Sequence, residues 1–82
     1  MTAMRAKLVI SKIEQTTHSD TLHFGAVCAK SYPADGSDED NTYAKFSPSA
    51  ELKISITNPA LVGQFKAGEA YYVDFTKVVP AA

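Results

Sequence analysis

Through the middle of the chain Leu52, Ile54 and Ile56 alternate with Glu51, Lys53, Ser55 and Thr57. A period of two with one apolar side is the mark of a half-buried strand, which predicts a strand over 49–57. Over 20–30, Leu22, Phe24, Ala26 and Cys28 fall on one face and His23, Gly25, Val27 and Ala29 on the other. Both faces are largely apolar, as in a central strand. A third strand is predicted over 70–78, where Tyr71, Tyr72, Val73, Phe75, Thr76 and Val78 favour a pleated surface. Tyr71, Val73 and Phe75 face the core in this reading, and Tyr72, Asp74 and Thr76 face outward. A fourth strand spans 5–14, but its pattern slips. Ala6, Leu8 and Ile10 share a face from which Ile13 is out of phase. One extra residue at Ser11-Lys12, a β-bulge, restores the register.

Polar turns punctuate these strands at Thr16-Thr17-His18-Ser19 and at Lys66-Ala67-Gly68-Glu69. Asn58-Pro59 ends the amphipathic strand, and Asn58 caps a single helical turn with Pro59 at its first position. The segment 31–48 is the longest irregular stretch, long enough to expect function or motion there. Within it Ser37 caps a short helix led by Asp38, Glu39 and Asp40 and stopped by Pro48. The fold expected is mostly β: a small four- to five-stranded barrel or curled antiparallel sheet, OB-like, with one or two short helical turns. Its expected core is Leu22, Phe24, Ala26, Leu52, Ile54, Ile56, Tyr71, Val73 and Phe75.

Composition narrows the chemistry. The 82 residues make one domain over 1–82, with 45% hydrophobic and 21% charged residues, as in ordinary globular proteins. One cysteine, Cys28, cannot form an internal disulfide, so stability is expected from packing and self-association. The apolar run Leu8-Val9-Ile10 is too short for a signal-peptide core and no run nears a membrane span, which predicts a cytoplasmic protein with a reduced thiol. Asp35, Asp38, Glu39 and Asp40 hold four of the nine acidic residues, leaving eight basic against five acidic residues elsewhere. So weak a basic excess argues against duplex nucleic acid and is compatible with a small anionic ligand.

Gly25, Gly36, Gly63 and Gly68 lie too far apart for a phosphate-cradling loop, and no nucleophile elbow, His-Glu-x-x-His or Cys-x-x-Cys motif occurs. The chain reads as a non-enzyme without cofactor or metal. His18, Asp20 and His23 crowd together in sequence, but His18 sits in a polar turn, Asp20 is explained by turn chemistry and His23 lies on a strand face. Residues 35–41 are rich in oxygen ligands yet lack the order of a calcium hand. Aromatic rings near lysines are the stronger lead, because stacked bases and phosphates need both. They give a candidate ligand-binding set of Tyr43, Lys45, Ser47, Ser49, Lys53 and Tyr72, in which the lysines pair with charge, the tyrosines stack and the serines of the Ser-Pro-Ser turn hold anionic oxygens.

Asn41-Thr42-Tyr43-Ala44-Lys45-Phe46-Ser47-Pro48-Ser49-Ala50-Glu51-Leu52, then Asn58-Pro59-Ala60 and Phe65-Lys66-Ala67-Gly68-Glu69-Ala70-Tyr71-Tyr72-Val73-Asp74-Phe75, resemble a family of small proteins encoded by tailed bacteriophages. The resemblance covers the second half of the chain and brings no catalytic residues. It implies a phage product acting in the cytoplasm of an infected bacterium or in the virion. Three readings follow. The first is a homo-oligomeric binding protein that sequesters a small phosphorylated, nucleotide-type host ligand such as a defence signal. The second is a virion accessory or decoration protein, which predicts a flat apolar contact patch. The third is a single-stranded nucleic-acid binder.

Overall fold

A strand of 12 residues, β1 (Met4–Gln15), is the spine of the protein, whose computed structural model describes residues 4–79. Around it lie β2 (Asp20–Ala26), β3 (Glu51–Ile56) and β4 (Ala70–Phe75), in one sheet of order β3-β2-β1-β4 with every pairing antiparallel. The fourth strand returns beside the first, which is the strand order of a Greek key. The sheet is curled and open, a half-barrel of four strands, and no helix forms among the described residues.

The predicted bulge is present. Ile10 pairs with Phe24 and Lys12 with His23, so Ser11 is the extra residue, and its hydroxyl donates to the His23 carbonyl at 3.2 Å. Ile13 is thereby returned to the face of Ile10 and packs against the core. The hairpin turn that follows is tied by Thr16, whose N–H donates to the Ser19 carbonyl at 2.8 Å and whose hydroxyl accepts from the Ser19 N–H at 3.0 Å.

The pairings are staggered along the spine. β4 runs beside residues 4–9 of β1, whereas β2 runs beside residues 8–15 and carries β3 on its far side. Only the middle of β1 is flanked by strands on both sides, and the core sits there. Its buried side chains are Ala6, Leu8, Ile10, Leu22 and Phe24. Leu52, Ile56, Tyr71 and Val73 are half-buried against them, joined from the loops by Tyr43, Ala50 and Phe65. Tyr71 meets Phe24 and Phe65 edge-on, at ring separations of 6.4 and 5.7 Å.

The structure corrects several expectations. Ile54 and Phe75 share the apolar face but are 48% and 44% exposed. Among the described residues no second layer covers the edge strands that carry them, so a correct period of two puts them on the right face without burying them. Ala26 is only half-buried, for β2 ends there, and Cys28 lies beyond the strand and is exposed. The helix expected from Ser37 is replaced by turns, because Asp38 rather than Ser37 ties the segment: its carbonyl and one carboxylate oxygen accept from the N–H groups of Asn41 (3.2 Å) and Asp40 (3.0 Å). The turn after β3 is a single one, in which the Asn58 side chain accepts from Ala60 N–H at 3.0 Å and its carbonyl from Val62 N–H at 3.1 Å.

Candidate functional site

On the polar face, Arg5 and Lys7 of β1 stand opposite Asp74 and Tyr72 of β4. Arg5 grips Asp74 with two nitrogens at 2.7 and 3.2 Å, and its guanidinium carbon lies 4.5 Å over the Tyr72 ring. Tyr72 donates its hydroxyl to Asp40 at 3.0 Å, and Lys7 Nζ is 3.7 Å from the other oxygen of that carboxylate. The Arg5 hydrogen bonds hold the Asp74 carboxyl below the usual carboxylate range. Each charge of this network meets its opposite, which leaves no free cation in it for an anionic ligand.

Beneath the network the segment 38–44 completes the sheet. Arg5 N–H donates to the Thr42 hydroxyl at 2.8 Å and Thr42 N–H to the Arg5 carbonyl at 3.0 Å, where β2 has already left the spine. Asn41 is fully buried and fills the next rung with its side chain. A cavity of about 490 Å³ opens at this segment, lined by Ser37, Asp38, Glu39, Thr42, Tyr43, Ala44 and Lys45. The Tyr43 hydroxyl is buried with no hydrogen-bond partner, and that desolvation, before any neighbouring charge, pushes its ionisation up.

Of the six residues predicted to bind a ligand, Tyr43 and Lys45 share this cavity. Ser47 and Ser49 are exposed on the chain leading out of it. Lys53 faces the polar side of β3, opposite His23, while Tyr72 lies on β4 at the other edge of the sheet. The six do not form one site. In the cavity itself, the carboxylates of Asp38 and Glu39 outnumber the single cation Lys45.

His18, Asp20 and His23 also separate. An odd spacing puts Asp20 and His23 on opposite faces, with Asp20 buried and accepting from Gly63 N–H at 2.7 Å, and His23 Nε2 2.5 Å from Glu14. Among the described residues no three His, Cys, Asp or Glu side chains converge as metal ligands. In the acidic loop Asp35 accepts from Ser37 N–H at 3.0 Å and Asp38 from Asp40 N–H at 3.0 Å, while Asp40 ties the loop to Tyr72 of β4.

Sequence reasoning missed Arg5, Lys7, Asp40 and Asp74 as a unit. The signal was present in two strands: Arg5 and Lys7, like Tyr72 and Asp74, are polar positions two apart, but only the register of β1 on β4 sets them opposite one another.

One more local feature stands out in the loop. Phe46 holds a left-handed backbone (φ 61°) with half its surface exposed, and its N–H donates to the Gly36 carbonyl at 2.9 Å. Its ring covers Gly36, itself left-handed at φ 73°, where a β-carbon would collide with it. Tyr32 supports the ring from 6.0 Å.

Comparison with protein-family models, curated proteins and solved structures finds no match to this chain.

Proposed function

We propose that this chain is a non-enzymatic structural protein that works by docking its open sheet onto protein, in the manner of a virion accessory or decoration protein. The observation that carries this reading is the unfinished apolar face: Ile54 and Phe75 continue it past the core, and Met4 and Leu61 add to the exposed apolar surface. The molecule is thin, with principal extents of 48 × 41 × 15 Å, and its radius of gyration of 15.1 Å exceeds the ~12 Å of a compact domain this long. An open, incompletely covered apolar sheet face is suited to contact with another protein surface.

Sequestration of an anionic ligand has less support, since the cavity that holds Tyr43 and Lys45 carries more carboxylates than cations and Arg5 and Lys7 are already paired. Single-stranded nucleic acid would meet the same acidic cavity, and the Tyr72 ring already has Arg5 against it.

Quantitative mass spectrometry of virions purified from cells infected by the phage that encodes the chain tests the reading. Stoichiometric copies that survive a salt wash are expected. Protein confined to the infected-cell extract, together with a thermal shift on adding cyclic nucleotides or ADP-ribose derivatives, would overturn it in favour of sequestration.

A further inference from the structure

The outer edge of β4 is the surface that most needs an occupant. The protein exposes 6071 Å². A compact monomer of this mass exposes about 4,800 Å², so the excess of about 1,300 Å² is more than the ~800 Å² that each partner contributes to a standard interface. Ile10 N–H donates to the Glu69 carbonyl and Gly68 N–H to the Ile10 carbonyl, which sets the hydrogen-bonding direction along β1. The pairs Ala6 with Val73 and Leu8 with Tyr71 are therefore the hydrogen-bonded ones. Ala70, Tyr72 and Asp74 turn their N–H and C=O groups to the open edge. That edge has no proline or bulge, and its only charge, Asp74, is held back by Arg5 at 2.7 Å. It lacks the devices that keep free edges from pairing, whereas β3 displays Glu51 and Lys53.

We propose that a second copy of this chain covers the edge, the two β4 strands pairing antiparallel about a two-fold axis through Val73. The proposal rests on the reading of the sheet as a docking surface and names its partner. Because the outward-turned backbone groups must face one another, the axis can fall only on a residue, and the side chains choose which. An axis at Val73 sets Tyr71 against the partner's Phe75, Val73 against its own copy and Glu69 against the partner's Lys77. Tyr72 then exchanges backbone hydrogen bonds with the partner's Asp74. An axis at Tyr72 would set Phe75 against a glutamate, and an axis at Asp74 would oppose two aspartates. Aromatic and opposite-charge pairs stabilise cross-strand neighbours, and like charges destabilise them. The resulting sheet has eight strands and joins the two apolar faces, with Phe75, 44% exposed in one chain, at the seam.

Cysteine cross-linking in a Cys28→Ser background is the test. Facing Val73 residues form a non-hydrogen-bonded pair with α-carbons about 4.5 Å apart, within disulfide reach. Val73→Cys is expected to give a covalent dimer under mild oxidation and Ile54→Cys none, with the unmodified protein dimeric by native mass spectrometry at micromolar concentration. Ala70→Pro removes an N–H that faces the edge and leaves the ladder to β1 intact. It is expected to weaken dimerisation at least tenfold with an unchanged circular dichroism spectrum. A monomer at micromolar concentration, a dimer that Val73→Cys does not cross-link, or cross-linking through Ile54→Cys instead would overturn the proposal. A dimer that is absent from virions would sink the functional reading and leave this one standing; a monomer present in virions would do the reverse.

Discussion

Asn41 serves Lys7 as a strand neighbour would. Its side-chain oxygen accepts from the Lys7 N–H at 2.9 Å, while its amide nitrogen donates to the Val27 carbonyl at 2.9 Å and to Asp38 at 3.0 Å. β1 thereby keeps its backbone satisfied where β2 turns away, and the long loop is fastened to the sheet at one buried point. Leaving a buried donor or acceptor unpaired costs about 1–3 kcal/mol. Asn41→Ala is expected to lower the unfolding free energy by about 2–3 kcal/mol in urea titrations. Asn41→Asp should cost at least as much, since a carboxylate can accept from Lys7 but cannot donate to Val27 and would face Asp38.

The two apolar residues of one cross-strand pair should respond unequally to truncation. Leu22 pairs with Ile54, yet Leu22 is 1% exposed and Ile54 48%. Leu22→Ala should cost about 2–5 kcal/mol, as for other fully buried leucines. In the monomer Ile54→Ala should cost less than about 1 kcal/mol, and equal losses by thermal unfolding would contradict the placement of the core.

Tyr43→Phe should be neutral or stabilising by up to about 1 kcal/mol, because it deletes a buried hydroxyl that has no partner. A clear loss of stability in differential scanning calorimetry would mean that the hydroxyl is bonded in solution.

Acid should unfold the protein partly through Asp74. Its folded-state carboxyl is depressed by the Arg5 hydrogen bonds, so its contribution is complete above the unfolded value of about 3.9 and fades as pH falls through the lower folded value. Glu14, depressed chiefly by its hydrogen bond to His23, acts in the same direction. Asp74→Asn should melt slightly lower than the parent at neutral pH and show a shallower decline in Tm below about pH 4. Identical pH profiles would show that the pair is open in solution.

Deletion of Ser11 should leave the fold intact. Without the extra residue Lys12 follows Ile10 directly, the period of two is regular, and Ile13 still reaches the core face. The expected loss is smaller than that of Leu22→Ala, and a collapse of the amide spectrum would show that the bulge also sets the twist.

Four strands, the face each presents and the bulge at Ser11 are legible in the residue pattern, because side-chain direction in a strand follows from a period of two and a break in that period has one local remedy. The cap at Asn58 is legible too, a matter of neighbouring residues. Depth and company, by contrast, come from long-range packing. Ile54 and Phe75 look like core residues from their alternation, but burial depends on what lies over a face, and their neighbours across the sheet leave them open. Asn41 looks like any loop residue, yet it is among the most buried side chains, since β2 departs at Val27 and two backbone groups needed a partner. Residue type alone groups Tyr43, Lys45, Ser47, Ser49, Lys53 and Tyr72, and strand order separates Lys53 from Tyr72: β3 and β4 are the two edges of the sheet. The Arg5–Asp74 pair joins positions 69 residues apart, and local pattern carries no information about a register that long-range pairing alone sets.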